Sequence, residues 1–198
     1  MKELHAEKIL ELEFEYARET AYQAQNDRTV IVNLYLLLVG GVGSLLLAAA
    51  SFSPTELDLP PQGISVLFLT LGILGMLTLF KLIRLRQAWF DSVREMNRIK
   101  DYYFEQFPEL QAAFLWKSKT IPALGKAWTI TFILSAMVIL LSSLSFAVAM
   151  HYSKWQSGDT LLRLDAIVFL FVLAIQVLFY FFELRAAPEP QSKTDASK

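Results

Sequence analysis

Four stretches of the chain are apolar on every helical face: Val30 to Phe52, Ile64 to Ile83, Ala127 to Met150 and Leu164 to Phe182. About 20 apolar residues in a helix cross a hydrocarbon core about 30 Å thick, and each stretch reaches that length. No acidic or basic residue stands in the middle of any of them, although Lys81 and Asp165 lie close to ends. A helix buried in a water-soluble core rarely stays apolar all round for so long, so the pattern predicts four membrane-spanning helices. The breaks fit two tight hairpins. "SFSPTELDLPPQG" (Ser51 to Gly63) has three prolines and a glycine to stop one helix and start the next, and "HYSKWQSGDTLLRL" offers Gly158 and Asp159 as a turn.

Between the second and third stretches the pattern changes. From Lys81 to Phe107 there is no glycine or proline, and apolar residues recur at Leu82, Leu85, Trp89, Val93, Met96, Ile99, Tyr103 and Phe107. Steps of three and four draw a narrow apolar seam along an otherwise polar helix. The second span is therefore expected to run on unbroken for about 36 Å before Pro108 stops it. Upstream of the first span, Leu10, Phe14, Ala17, Ala21 and Ala24 repeat the same steps. The two polar helices are expected to pair antiparallel in a stalk, with Leu10 and Phe14 facing the region of Val93 across a seam completed by Leu85, Trp89, Met96, Ile99 and Tyr103. Residues Ala112 to Gly125, "AAFLWKSKTIPALG", read either as a short amphipathic piece on the membrane surface, with Trp116 inserted and Lys117 and Lys119 at lipid phosphates, or as a connector packed on the stalk.

Charge orients this arrangement. The N-terminal segment has four Lys and Arg, the first hairpin loop none, the connection from Lys81 to Lys126 nine, the second loop two and the tail three. Basic residues stay cytoplasmic, so both termini and the central connection are expected there. Trp128 and Tyr180 near span ends and Trp155 in the second loop suit the membrane interface. The N-terminal helix has seven acids against four bases, and the central connection nine bases against five acids. Opposite net charge favours their pairing, with the apolar seam supplying most of the stability because solvated ion pairs contribute little. The acidic, polar N-terminus is unlike a cleavable signal, so the first span is expected to act as its own targeting signal.

Composition agrees with a membrane class: 55% of residues are hydrophobic and mean hydropathy is +0.41. A net charge of −1 provides no basic field for nucleic acid. The six basic residues of Lys81 to Lys100 are assigned otherwise: Lys81, Arg84 and Arg86 to lipid headgroups, and Arg94, Arg98 and Lys100 to acids nearby on the helix, with Asp91 and Arg94, and Glu95 and Arg98, three apart. With no cysteine, disulfides and thiolate chemistry are excluded. His5 and His151 fall on opposite sides of the membrane and cannot share a metal, while Glu3, Glu7 and Glu11 form a solvated acidic face. No nucleotide loop, nucleophile elbow or HExxH is present, so no enzyme, cofactor, metal or catalytic residue is expected. The mid-span polar residues Asn33, Thr70, Ser135, Ser142, Ser143 and Gln176 are neutral, which argues against coupled transport; Asn33 and Gln176 suit hydrogen bonds across helices. Small residues one turn apart, Gly40, Ser44 and Ala48, then Ser143 and Ala147, with Gly72 and Gly75, allow close helix approach inside the bundle or between subunits.

The segments "LEFEYARETAYQAQNDRTVIVNLYLLLVGGVGSLL" and "MNRIKDYYFEQFPEL" resemble a broad set of uncharacterised bacterial multi-pass proteins that join an acidic N-terminal helix to a transmembrane hairpin with a helical cytoplasmic extension. Over roughly Leu12 to Leu110 the layout is similar to SLATT-type membrane effector domains, and the second hairpin extends beyond their two spans. That resemblance implies a membrane-perturbing partner of a nucleotide-sensing protein. The chain is thus expected to be an all-α integral membrane protein of the inner (plasma) membrane. Residues 1–29 are assigned to the N-terminal helix, 30–83 to the first hairpin, 84–126 to the extension and connector, 127–182 to the second hairpin and 183–198 to a disordered tail. The expected role is a non-enzymatic assembly or signalling component working through the stalk, and the alternative is an oligomeric pore or membrane-disrupting effector. Its expected partners are lipid, further copies of the chain and a cytoplasmic protein, with no nucleic acid.

Overall fold

A computed structural model describes residues 6–51, 60–112, 114, 121–153 and 161–185. The expectations for His5, Glu3, Trp116, Lys117, Lys119, Trp155, Gly158 and Asp159, and for the tail from residue 186, lie outside these. The described chain is all-helical: α1 (Ala6–Ser51), α2 (Pro61–Gln106), a 3-10 turn (Pro108–Ala112), α3 (Ile130–Ser153) and α4 (Leu161–Glu183). All four α-helices are long and apolar enough to cross a membrane.

Helix ends follow local chemistry. Pro60 is extended and Pro61 occupies the first turn of α2, where a missing N–H costs nothing. At the other end the Phe107 N–H donates to the Tyr103 carbonyl at 2.8 Å, and Pro108 stops propagation. α3 starts at Ile130, three residues later than the apolar run suggests, because the Thr129 hydroxyl caps it by accepting from the Phe132 N–H at 3.2 Å. Trp128, just before the cap, has a φ of 64° and is 86% exposed. A bulky residue in the left-handed region is strained, and here it turns the chain into α3. Residues 121–129 form turns rather than a helix, and Leu124 is buried, so this part of the connection is a packed connector.

The helices pack in the order α1, α2, α3, α4, with α1 making a small contact to α3, α4 a small one to α2, and none between α1 and α4 among the described residues. The inner helices α2 and α3 bury 39% and 44% of their most apolar stretch, against 11% for each outer helix. Val32, Tyr35, Leu79, Leu82, Ile83, Leu124, Val138, Ile139, Tyr180 and Leu184 form the core. Leu184, in the segment read as tail, thus closes the core at the end of α4. Outside the core the apolar parts expose large side chains such as Leu37 at 72%, Leu47 at 73% and Phe182 at 70%.

Polar contacts tie the helices at several levels. The Ser65 hydroxyl donates to the Ala149 carbonyl at 2.8 Å, Gln87 Nε2 to the Glu183 carbonyl at 3.0 Å, and His151 Nδ1 lies 2.8 Å from Asp165 Oδ2. α1 runs antiparallel to α2: Tyr35 Oη donates to the Leu71 carbonyl at 3.4 Å, while towards the other end the Lys100 ammonium sits 6.0 Å from the Phe14 ring. Phe14 therefore faces Lys100, seven residues beyond Val93. In this register Tyr35 lies directly against Gly75, a close approach that a count of apolar positions does not contain.

Candidate functional site

Two regions organise the molecule: a close-packed α2–α3 interface and a groove between the polar halves of α1 and α2. At the interface a Cβ on Gly75 would lie 2.5 Å from Tyr35 Oη and 2.6 Å from Ser142 Cβ, and one on Gly72 would lie 2.9 Å from the Phe146 ring. Only glycine lets these backbones meet. The Ser142 hydroxyl donates to the Gly72 carbonyl at 2.9 Å and accepts from Gln176 Nε2 at 3.1 Å, linking α2, α3 and α4. Gln176 is 2% exposed, whereas Asn33 is exposed. Ser143 and Ala147 are buried on α3.

Gly40, Ser44 and Ala48 sit differently. A Cβ on Gly40 would meet nothing within 4 Å, the Ser44 hydroxyl turns back to the Gly40 carbonyl at 2.9 Å, and Ala48 is exposed. This face of α1 packs on no other described helix, because α1 leans on α2 through Val32 and Tyr35 instead. A pattern missed in the sequence lies on α3, where Thr131, Ser135, Val138, Ser142, Ser145 and Ala149 alternate steps of four and three and are all buried. Small and hydroxylated residues at coiled-coil spacing give the bundle its tight interior.

The groove encloses about 390 Å³ between Ala21, Tyr22 and Gln25 of α1 and Trp89, Val93, Met96 and Asn97 of α2, with Arg18 and Lys100 at its sides and Ile121 and Pro122 across it. Among the described residues its lining contains no acid. Ala17, Ala21 and Ala24 are buried because their small side chains let α1 approach α2. Leu10, Phe14, Leu85, Trp89, Val93, Met96 and Tyr103 are half-buried, Ile99 is buried, and Phe107 is exposed. The buried side of α2 also includes Arg86, Ser92, Asn97 and Phe104, since the 3-10 turn and the connector cover it from a second direction. Phe104 meets Phe114 edge-on at 5.4 Å there.

The basic residues divide in a way the sequence does not show. Lys81 and Arg84 are exposed, Arg84 lying 5.0 Å over the Phe80 ring, and Arg98 pairs with Glu95 at 3.2 Å. Arg86, grouped with them as a headgroup contact, is instead 5% exposed. Its position four residues after Leu82 and three before Trp89 is a seam position, and Arg28 likewise stands four after Ala24 and four before Val32. A cation on an apolar seam is the signal that counting apolar residues passes over. Among the described residues no group of three or more histidines and carboxylates is placed to hold a metal ion. Comparison with family models, curated proteins and solved structures finds no match to the chain.

Proposed function

We propose that the chain is a non-enzymatic multi-pass membrane protein of the inner (plasma) membrane, with four spans in two hairpins, both termini cytoplasmic, and an assembly or signalling role carried by the paired polar halves of α1 and α2. The observation that carries this reading is continuity: α1 and α2 are each a single 46-residue helix joining an apolar half to a polar half. A displacement or partner contact at the polar end is then transmitted along a rigid element to the spans. The belt of exposed large apolar side chains supports insertion, since water-soluble monomers rarely expose contiguous apolar surface of more than a few hundred Å². Thirteen basic residues before and after the first two spans, against none between them, support the orientation. The test is photo-crosslinking in cells from Val93 and Met96, at the groove, with Leu170 on the exposed side of α4 as control. A discrete protein adduct from the groove positions alone is expected; adducts no different from those of Leu170 would count against a role for the groove.

A second reading, an oligomeric pore or membrane-disrupting effector as the SLATT-type resemblance implies, is favoured by the unoccupied small-residue face at Gly40, Ser44 and Ala48. It requires that overexpression depolarise cells and that Gly40→Leu abolish the effect. Unchanged membrane potential at high expression removes it.

A further inference from the structure

At the end of the bundle next to the groove, Arg28 of α1 is joined to Thr131 of α3, and Arg86 of α2 lies within electrostatic reach of Arg28 and of Tyr180 of α4. Arg28 donates through a terminal nitrogen to the Thr131 hydroxyl at 2.6 Å, and its Nε is buried without an acceptor. Arg86 donates through Nε to the Leu124 carbonyl at a long 3.4 Å, and one terminal nitrogen is buried with no acceptor. Burial holds both guanidiniums below the ordinary arginine value; at Arg86 desolvation is the main cause, the charge of Arg28 lowers it further, and Tyr180 opposes. Neither arginine forms an ion pair with a carboxylate of the described residues. Arg86 is buried and Arg28 half-buried, and like charges held close where water is largely excluded are unfavourable unless an anion joins them; buried arginine is otherwise paired.

The two arginines have an approach. Arg86 lies over the Trp89 ring at 4.5 Å, and Trp89 lines the groove, which also carries Arg18 and Lys100 and, among the described residues, no acid. Arg18 is engaged by Glu15 at 3.3 Å on the solvent side. Two planar forks of donors, a hydroxyl and the nearby first turn of a 24-residue helix suit a tetrahedral oxyanion, which takes several charge-assisted hydrogen bonds at once. We propose that Arg28 and Arg86, with Thr131, form a binding site for a phosphate-bearing anion entering from the groove. The phosphate is that of an anionic lipid headgroup or of a soluble phosphate compound. The headgroup source rests on the orientation proposed above, whereas binding itself does not, so failure of the topology would leave the site standing.

The experiment titrates the full chain in dodecyl maltoside with inorganic phosphate, with dioleoyl phosphatidylglycerol, and with phosphate-free dioleoylglycerol. Binding is read as the shift in thermal unfolding midpoint and as bound mass in native mass spectrometry. A saturable upward shift is expected with at least one phosphate ligand and none with dioleoylglycerol. Arg28→Gln and Arg86→Gln should weaken it by about tenfold or more, while Arg98→Gln, on the exposed side of α2, keeps the wild-type response. Thr131→Val, a smaller change, should weaken it less than either arginine variant. Response to the lipid alone assigns the site to a headgroup, and response to inorganic phosphate alone assigns it to a soluble ligand. No saturable shift in the wild type, an equal shift with dioleoylglycerol, or an undiminished response in both arginine variants would overturn the proposal.

Discussion

Replacing Gly75 by alanine adds one methyl group at the tightest point of the molecule. The added carbon would sit 2.6 Å from Ser142 Cβ and 2.5 Å from Tyr35 Oη, whereas carbon atoms pack best at about 3.5 to 4.0 Å. Ser142 Cβ is fixed to the α3 backbone and cannot swing aside, so the α2–α3 spacing must open by about 1 Å to restore that contact distance. Overpacking of this kind costs about 1–3 kcal/mol. Alanine also gains up to about 1 kcal/mol of helix propensity over glycine, which masks part of the loss. Gly40→Ala receives the same propensity gain with nothing within 4 Å of the new carbon. The difference between the two variants therefore isolates packing, at about 1–3 kcal/mol. Reversible unfolding of both variants in mixed micelles, by titration with dodecyl sulfate, measures it. Equal stability of Gly75→Ala and Gly40→Ala would refute the close approach of α2 and α3.

Other outcomes follow from single contacts. Ser142→Ala removes the acceptor of buried Gln176 Nε2 and should destabilise by about 1–3 kcal/mol, with Gln176→Leu added in the same background recovering much of the loss; no recovery in that double variant would contradict the link. Because the native chain has no cysteine, thiol cross-linking reads the register directly: a short bis-maleimide should join Phe14→Cys to Lys100→Cys more efficiently than Phe14→Cys to Val93→Cys, which lies about 10 Å along the helix. Thr129→Ala removes the cap of α3 and should cost about 1 kcal/mol in the same unfolding assay, with Thr129→Ser close to wild type.

The four apolar helices, the unbroken run of α2 to Gln106 and the alanine-rich edge of α1 at Ala17, Ala21 and Ala24 were legible because burial and helix period leave a direct trace in residue type. Gly72 and Gly75 were legible as places where a neighbour fits, but not which neighbours, Phe146, Tyr35 and Ser142, come closest there. Gly40, Ser44 and Ala48 present the same spacing and meet no partner in the described chain, since small residues permit close approach without requiring it. The buried face of α2 was misread at Arg86 and passed over at Asn97, because a seam counted from apolar residues rejects polar side chains that packing nevertheless encloses. The same counting hid the Thr131 to Ala149 stripe of α3 inside a run that is apolar overall, and it grouped Arg86 with the exposed Lys81 and Arg84, although the structure buries it beside Trp89 and the Leu124 carbonyl.

The central claim, four spans with the polar halves of α1 and α2 together on the cytoplasmic side, is tested most directly by thiol labelling of single-cysteine variants in intact cells. Tyr22→Cys and Glu105→Cys, both at exposed positions of the polar halves, should react with a membrane-impermeant maleimide only after permeabilisation, while Ser53→Cys and Gln156→Cys should react without it. Labelling of Tyr22→Cys or Glu105→Cys in intact cells, or protection of Ser53→Cys, would contradict the account.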